Sequence, residues 1–274
     1  MKKFVFLLTI AILTITGQSG ISNTDSLSGT DADTGAPSET DTPTELIDSA
    51  QTAPTPESPA SAPVICLSPG HPSLEGDKYY EAIINRKVAW FLTILLLEAD
   101  FNVVLAVNDV PPDNLFFANL SNEDDALWSD LQVMPPEEKA NRCNDAGADY
   151  LISIHHNFAY SPTMNETMVF YTVDDNYRPR HTEVIPWAEN TASYLGKVME
   201  TDDEYAIADM ERIGFQLGVL SNAEMPGILT EASFYSNPDE RARLNDDLYL
   251  EKEAEAIFRA FVDTFVRGHQ SPTQ

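Results

Sequence analysis

Basic residues are scarce in this chain. Sixteen lysines and arginines stand against 44 aspartates and glutamates over 274 residues, a formal net charge of −28. Such a field repels a phosphate backbone and excludes nucleic acid as a partner. It names no substrate, because an acidic surface can serve solubility alone. Cysteine is equally sparse, with only Cys66 and Cys143, and no Cys-x-x-Cys pair that would hold a metal through thiolates. Both sit in apolar surroundings, Cys66 in a strand-like run and Cys143 in a helical one. Two buried thiols are therefore expected in preference to a disulfide. No internal repeat is visible, which excludes a solenoid or a tandem binding array. No apolar run reaches the roughly 20 residues of a comfortable membrane span. The stripe from Ile83 to Leu97 is closed by Glu98 and Asp100 and reads as core.

Histidine is also rare, and the five present stand out against a clear organisation. Lys2 and Lys3 precede an apolar run from Phe4 to Ile15, followed by Gly17, Ser19 and Gly20. That is the layout of a secretory signal over residues 1–20, and it implies an exported protein, periplasmic or extracellular. No cysteine directly follows the run, so no lipid anchor is expected; membrane contact is confined to this segment before cleavage. Residues 21–62 are Ser, Thr, Asp and Pro with hardly a large apolar side chain, as in TDADTGAPSETDTPTE. Such a stretch buries too little surface to offset the entropy of ordering, and it reads as a spacer. Export makes a disulfide chemically possible without requiring one. Residues 63–268 are long enough for one compact domain, and 269–274 form a tail.

Within that domain, apolar runs alternate with helical patterns. Val64 to Ser68 reads as a buried strand ending at Pro69-Gly70, and Glu81 to Ala99 as a helix apolar all round. Asn102 to Val107 is a β-branched run, and Pro111 to Pro136 an irregular acidic insertion. Glu137 to Gly147 reads as a helix closed by glycine, and Tyr150 to His155 as a strand. A strand over Met168 to Val173, a helix over Trp187 to Met199, a strand over Gly227 to Glu231 and a helix over Tyr249 to Val266 complete the pattern. Helix followed by strand, repeated, implies an α/β fold. The expectation is a single three-layer αβα domain with a mostly parallel twisted sheet flanked by helices, acting as a monomer.

Three residues of catalytic type fall at strand ends: His71, His155 and Glu231. In open α/β sheets, sites gather outside the carboxyl ends of parallel strands. A fourth candidate, Glu81, opens the long helix. Two imidazoles and a carboxylate suit a hydrolytic zinc site with one position open for water, and a second carboxylate can take the water's proton. Each residue also has an ordinary reading. His155 competes with His156, since neighbours on a strand face opposite ways. Glu75 competes with Glu81, which is itself a normal acid for a first helical turn. Glu231 could lie on a solvated turn, although a carboxylate after Ile228 and Leu229 needs a partner or a function. His181 and His269 lie in polar segments and read as surface residues.

Four motifs in register resemble the zinc-dependent N-acetylmuramoyl-L-alanine amidases of the type-3 fold. The family's D-P-G-H-G-G opening is similar to Ser68-Pro69-Gly70-His71-Pro72-Ser73, and its Glu with Asn four residues later matches Glu81 and Asn85. A basic residue and an asparagine before the next strand are similar to Lys139 and Asn144. S-I-H-x-N stands complete as Ser153-Ile154-His155-His156-Asn157, and P-x-x-L-x-E-x-G-F-x-S-N resembles Pro226 to Asn237. The resemblance spans about Val64 to Val266. It implies zinc held by His71, Glu81 and His155, and Glu231 as the catalytic carboxylate acting on peptidoglycan or muropeptides. The register selects His155, leaving His156 to the substrate side or to packing. Ser68, Pro72, Ser73 and Ser233 depart from the family pattern without removing a proposed ligand, and bear on the shape of the His71 loop. The segment Tyr160 to Asp209 matches poorly and leaves a gating helix there open. A zinc peptidase cutting within the stem peptide and a non-catalytic wall-binding relative are the competing readings.

Overall fold

The computed structural model describes residues 62–71, 77–107 and 134–268. The signal segment, the spacer up to residue 61, most of the 111–136 insertion, Glu75, His269 and the tail lie outside them. The described chain runs β1 (Val64–Pro69), α1 (Asp77–Glu98), β2 (Asn102–Leu105), α2 (Pro136–Asp145), β3 (Tyr150–Asn157) and β4 (Glu166–Tyr171). It continues through α3 (Val184–Met199), β5 (Asp203–Ala208), α4 (Asp209–Arg212), α5 (Gly218–Ser221) and β6 (Gly227–Phe234). Helices α6 (Pro238–Arg243) and α7 (Asp247–Phe261) follow, and a π-helical turn over Val262–Arg267 closes the fold.

The strands form one sheet in the order β2-β1-β3-β6-β4-β5. β2, β1, β3 and β6 are mutually parallel; β4 runs antiparallel to β6, and β5 parallel to β4. The central strands bury both faces, which is why they read as continuous apolar runs and not as an alternation. Ile65, Leu67, Ile152, Ile154 and Ile228 face α1, α3 and α7. Cys66, Leu151 and Leu229 face the opposite way, toward α2 and α5. The fold is thus the expected three-layer α/β domain. Among the described residues no helix is long and apolar enough to cross a membrane.

Local signals explain the boundaries. Pro136 occupies the first turn of α2, with Glu137 and Glu138 beside it at the positive end of the helix dipole. Gly147, at φ 62°, provides the left-handed residue that ends α2. Asn237 caps α6 by accepting from the Asp239 and Glu240 amides, and Asp246 caps α7. α3, inside the segment left open above, is a core helix in which Trp187, Leu195 and Met199 are fully buried. β5 carries no signal in the sequence that distinguishes it from a loop: as an edge strand it begins with three exposed residues, Asp203, Glu204 and Tyr205.

The cysteine expectation is overturned. Cys66 and Cys143 form a disulfide, with Cα atoms 5.6 Å apart and 77 residues of separation. Packing α2 on the Cys66 face of β1 brings the two Cβ atoms within bridging range. The bond ties the sheet centre to the layer that carries Lys139. Reduction should therefore lower unfolding stability by about 2–4 kcal/mol. Urea unfolding of the parent with and without dithiothreitol checks this, the expected result being a lower midpoint for the reduced protein.

Candidate metal centre

Parallel register places the candidate residues on one edge. Pro69 pairs with Ile154, and His155 pairs directly with Glu231 across β3 and β6. The Gly70 N–H donates to the Ile154 carbonyl at 2.7 Å, extending the β1–β3 ladder one residue beyond the strand. The chain then turns at His71, whose φ of 38° is unusual for a residue with a side chain. Such a conformation costs on the order of 1–3 kcal/mol and persists only where the surroundings enforce it. Gly70 is required for another reason: a Cβ there would lie 2.4 Å from the His155 ring. The imidazole rests on bare backbone.

Glu81 is the hub. It is almost wholly buried in the first half of α1, with its Oε2 3.5 Å from His71 Nε2 and its Oε1 3.3 Å from His155 Nδ1. One ligand atom from each of His71, Glu81 and His155 can be chosen so that all lie within 4.8 Å of one another. The two histidine–glutamate distances reach different oxygens of Glu81, one to each imidazole, so the carboxylate lies between the two rings, and two imidazoles with a carboxylate are donor types that suit zinc.

Protonation states agree with ligation. Burial pulls the His155 pKa down, and although Glu81 pulls it up, the net direction is down, toward the neutral, ligating form. Burial raises the Glu81 pKa, but the contacts with the His155 and His71 imidazoles and the Asn85 amide outweigh it, and the net direction is down. Lys139 is buried and donates to the Pro69 carbonyl at 2.5 Å, bracing the end of β1. Burial and Arg86 depress its pKa from 10.5 to about 8.

Glu231 behaves differently. Its Oε2 is buried without a hydrogen-bond partner, and burial followed by repulsion from Glu81 raises its pKa well above the usual carboxylate value. It is therefore not the solvated acid of a turn. One of its oxygens is buried while the residue as a whole is partly exposed, and it stands across the sheet from His155 of the His–Glu–His cluster. His156 points to the other face and is fully enclosed, so of its two expected places it takes packing. His181 is partly exposed, bonded to the Glu224 carbonyl at 3.0 Å, and is not in the cluster. Asn144 clamps the approach to β6, donating to the Asn222 carbonyl and accepting from the Glu224 amide. The residue missed by sequence reasoning is Glu253, buried against His156. Its signal was a carboxylate on the apolar stripe Leu250, Ala254 and Ile257 of α7.

A mostly parallel sheet with two imidazoles and a carboxylate that could hold a metal ion, and a further acid at the same carboxyl edge, defines a class of α/β domain with a candidate metal centre. Within that class a family model described as N-acetylmuramoyl-L-alanine amidase matches residues 65–262, and the chain belongs to this family. The amidase LytC of Bacillus subtilis (strain 168) is 28% identical over 211 residues, 76% of this chain but 37% of that relative, so the chain spans little more than a third of its length. The catalytic domain of CwlV from Bacillus (Paenibacillus) polymyxa var. colistinus superposes with a TM-score of 0.56 at 18% identity, covering 73% of this chain and 97% of that one. An N-acetylmuramoyl-L-alanine amidase from Clostridium difficile 630 gives 0.56 at 20% identity, covering 74% and 97%. These likenesses carry the fold.

Two outcomes follow from the geometry. Gly70→Ala should displace the His155 ring and weaken zinc binding by at least about tenfold, read by competition with a fluorescent chelator. Lys139 should make stability pH-dependent. The unfolded chain keeps its proton to about pH 10.5 and the folded chain releases it near 8, so between those values the unfolded state binds more protons and stability rises with pH. In zinc-free protein, the stability difference between parent and Lys139→Met should grow over that window by up to about 3 kcal/mol and be flat below it.

Proposed function

We propose that this protein is a peptidoglycan hydrolase that cleaves the amide joining N-acetylmuramic acid to the L-alanine of the stem peptide. His71, Glu81 and His155 hold a zinc ion, and Glu231 is the catalytic base. The observation that carries this reading is Glu231, set directly across from His155 with its Oε2 buried and unpartnered, beside a His–Glu–His group that could hold a metal ion. A zinc ion there supplies Lewis acidity: it lowers the pKa of a water molecule to about 7 and stabilises negative charge on the scissile carbonyl.

The chain's own residues do the rest. Glu231 accepts the proton of the attacking water and returns it to the leaving nitrogen, so that the amine departs neutral. Its desolvation favours this, since a carboxyl with a raised pKa is a stronger base than one in water. Lys139 and Gly70 hold the end of β1 and the His155 ring in place. The half-exposed His71 leaves the centre open to a polymer approaching from solvent.

Export is part of the same proposal. The Lys2–Lys3 leader and the Cys66–Cys143 disulfide both suit an oxidising compartment outside the cytosol, where peptidoglycan lies.

Glu231→Gln should retain stoichiometric zinc and lose about 10²–10⁴-fold in turnover on purified sacculi. Mass spectrometry of the parent digest should find stem peptides free of sugar. Products cut between amino acids of the stem would replace this reading with a peptidase, and undiminished turnover by Glu231→Gln would remove Glu231 from the chemistry.

A further inference from the structure

We infer that Glu253, His156 and Asn85 form a buried positioning relay that fixes the Glu81 carboxylate and so sets the affinity of the metal centre. The inference rests on the proposed zinc role of His71, Glu81 and His155. Four groups stand in line. Glu253 Oε2 is 3.1 Å from His156 Nε2, His156 Nδ1 is 2.9 Å from Asn85 Oδ1, and Asn85 Nδ2 donates to Glu81 Oε1 at 3.2 Å. The His156 backbone N–H also donates to that oxygen, at 3.3 Å. The side chains of His156 and Glu253 are fully enclosed, and Asn85 is wholly buried.

Chemistry gives the line a direction. The Glu81 carboxylate only accepts, so the Asn85 amide must turn its NH2 toward Glu81 and its oxygen toward His156. An oxygen facing Nδ1 requires that nitrogen to carry a proton. Nε2 and Glu253 Oε2, 3.1 Å apart, then share one further proton, since two bare acceptors would repel, and that bond holds the ring from its far side. A flipped Asn85 amide would set oxygen against oxygen at Glu81 and two donors against each other at His156. The protonated Nδ1 forbids the flip.

Stability does not account for the arrangement. A desolvated histidine–carboxylate pair contributes little compared with apolar side chains of similar volume, and here Glu253 Oε1 has no hydrogen-bond partner at all. What the pair supplies is orientation. With Oε1 of Glu81 held by two N–H donors, the carboxylate cannot rotate away from His71 and His155. Hydrogen bonds of this kind behind a ligand typically change metal affinity by 10–100-fold when removed.

The test compares zinc dissociation constants, by chelator competition, of the parent with Asn85→Leu, His156→Phe and Glu253→Gln. Asn85→Leu and His156→Phe should bind zinc about 10–100-fold more weakly. Their cobalt-substituted forms should show altered d–d bands, a change in ligand geometry that a merely destabilised fold would not give. Glu253→Gln should stay within about threefold of the parent, because its amide can donate to Nε2 and leave the proton on Nδ1. Parental affinity and spectra in folded Asn85→Leu and His156→Phe would overturn the relay while leaving the zinc reading intact; a parent that binds no zinc would overturn both. Nitrogen NMR of the parent provides a test that needs no variant: His156 should carry a proton on Nδ1, and an unprotonated Nδ1 would overturn the relay outright.

Discussion

The parallel pairing of β1, β3 and β6 is the constraint on which the rest depends. Its register sets Pro69 beside Ile154 and His155 beside Glu231. The loop after β1, the middle of the S-I-H-x-N motif and the acid of β6 thereby converge on one edge, although 160 residues separate His71 from Glu231. A slip of one residue in any of the three strands would turn its functional side chain to the opposite face. The Gly70 N–H bond to Ile154 and the Lys139 bond to Pro69 brace the carboxyl end of β1, and the Cys66 disulfide ties the middle of the strand to α2. They act on a segment whose next residue, His71, is held in a strained conformation.

The interior around this edge holds more charge than folding alone would favour. Glu81, Lys139, His156 and Glu253 are all buried, and Glu231 keeps an oxygen without a partner. Uncompensated, each such group would be strongly destabilising. They are arranged so that most compensation comes from one another: Glu81 from two histidines and Asn85, His156 from Asn85 and Glu253, and Lys139 from a backbone carbonyl. Glu253 also leaves one oxygen unpartnered, but its other oxygen meets His156, whereas Glu231 has no such partner and is the group for which the proposed chemical task gives an account. The large apolar cores on both faces of the sheet, with α1, α3 and α7 on one side, supply the stability that lets the polar edge persist.

Much of this was legible in the chain itself. Strands β1, β3 and β6 are buried on both faces and so read as unbroken apolar runs, while α2 announces itself by Pro136, two first-turn acids and Gly147. His71, His155 and Glu231 stood out because polar groups closing apolar strands need a reason, and Glu81 because it opens the long helix with Asn85 one turn on. Strand β5 was missed because an edge strand with exposed acids has no periodic apolar signal. The antiparallel sense of β4 was likewise invisible, since direction is a property of pairing and not of composition.

Sequence by itself determined the layer architecture, the strand ends that carry chemistry and the residue types of the candidate centre, because burial and turn formation are local demands met by local residues. Only the tertiary structure decided that Cys66 and Cys143 are joined, that His156 packs between Asn85 and Glu253, and that Glu253 lies behind the centre. Those outcomes depend on which helix covers which face of the sheet and in what register the strands pair. Both are set by the packing of segments distant in the chain, so no window of neighbouring residues contains them.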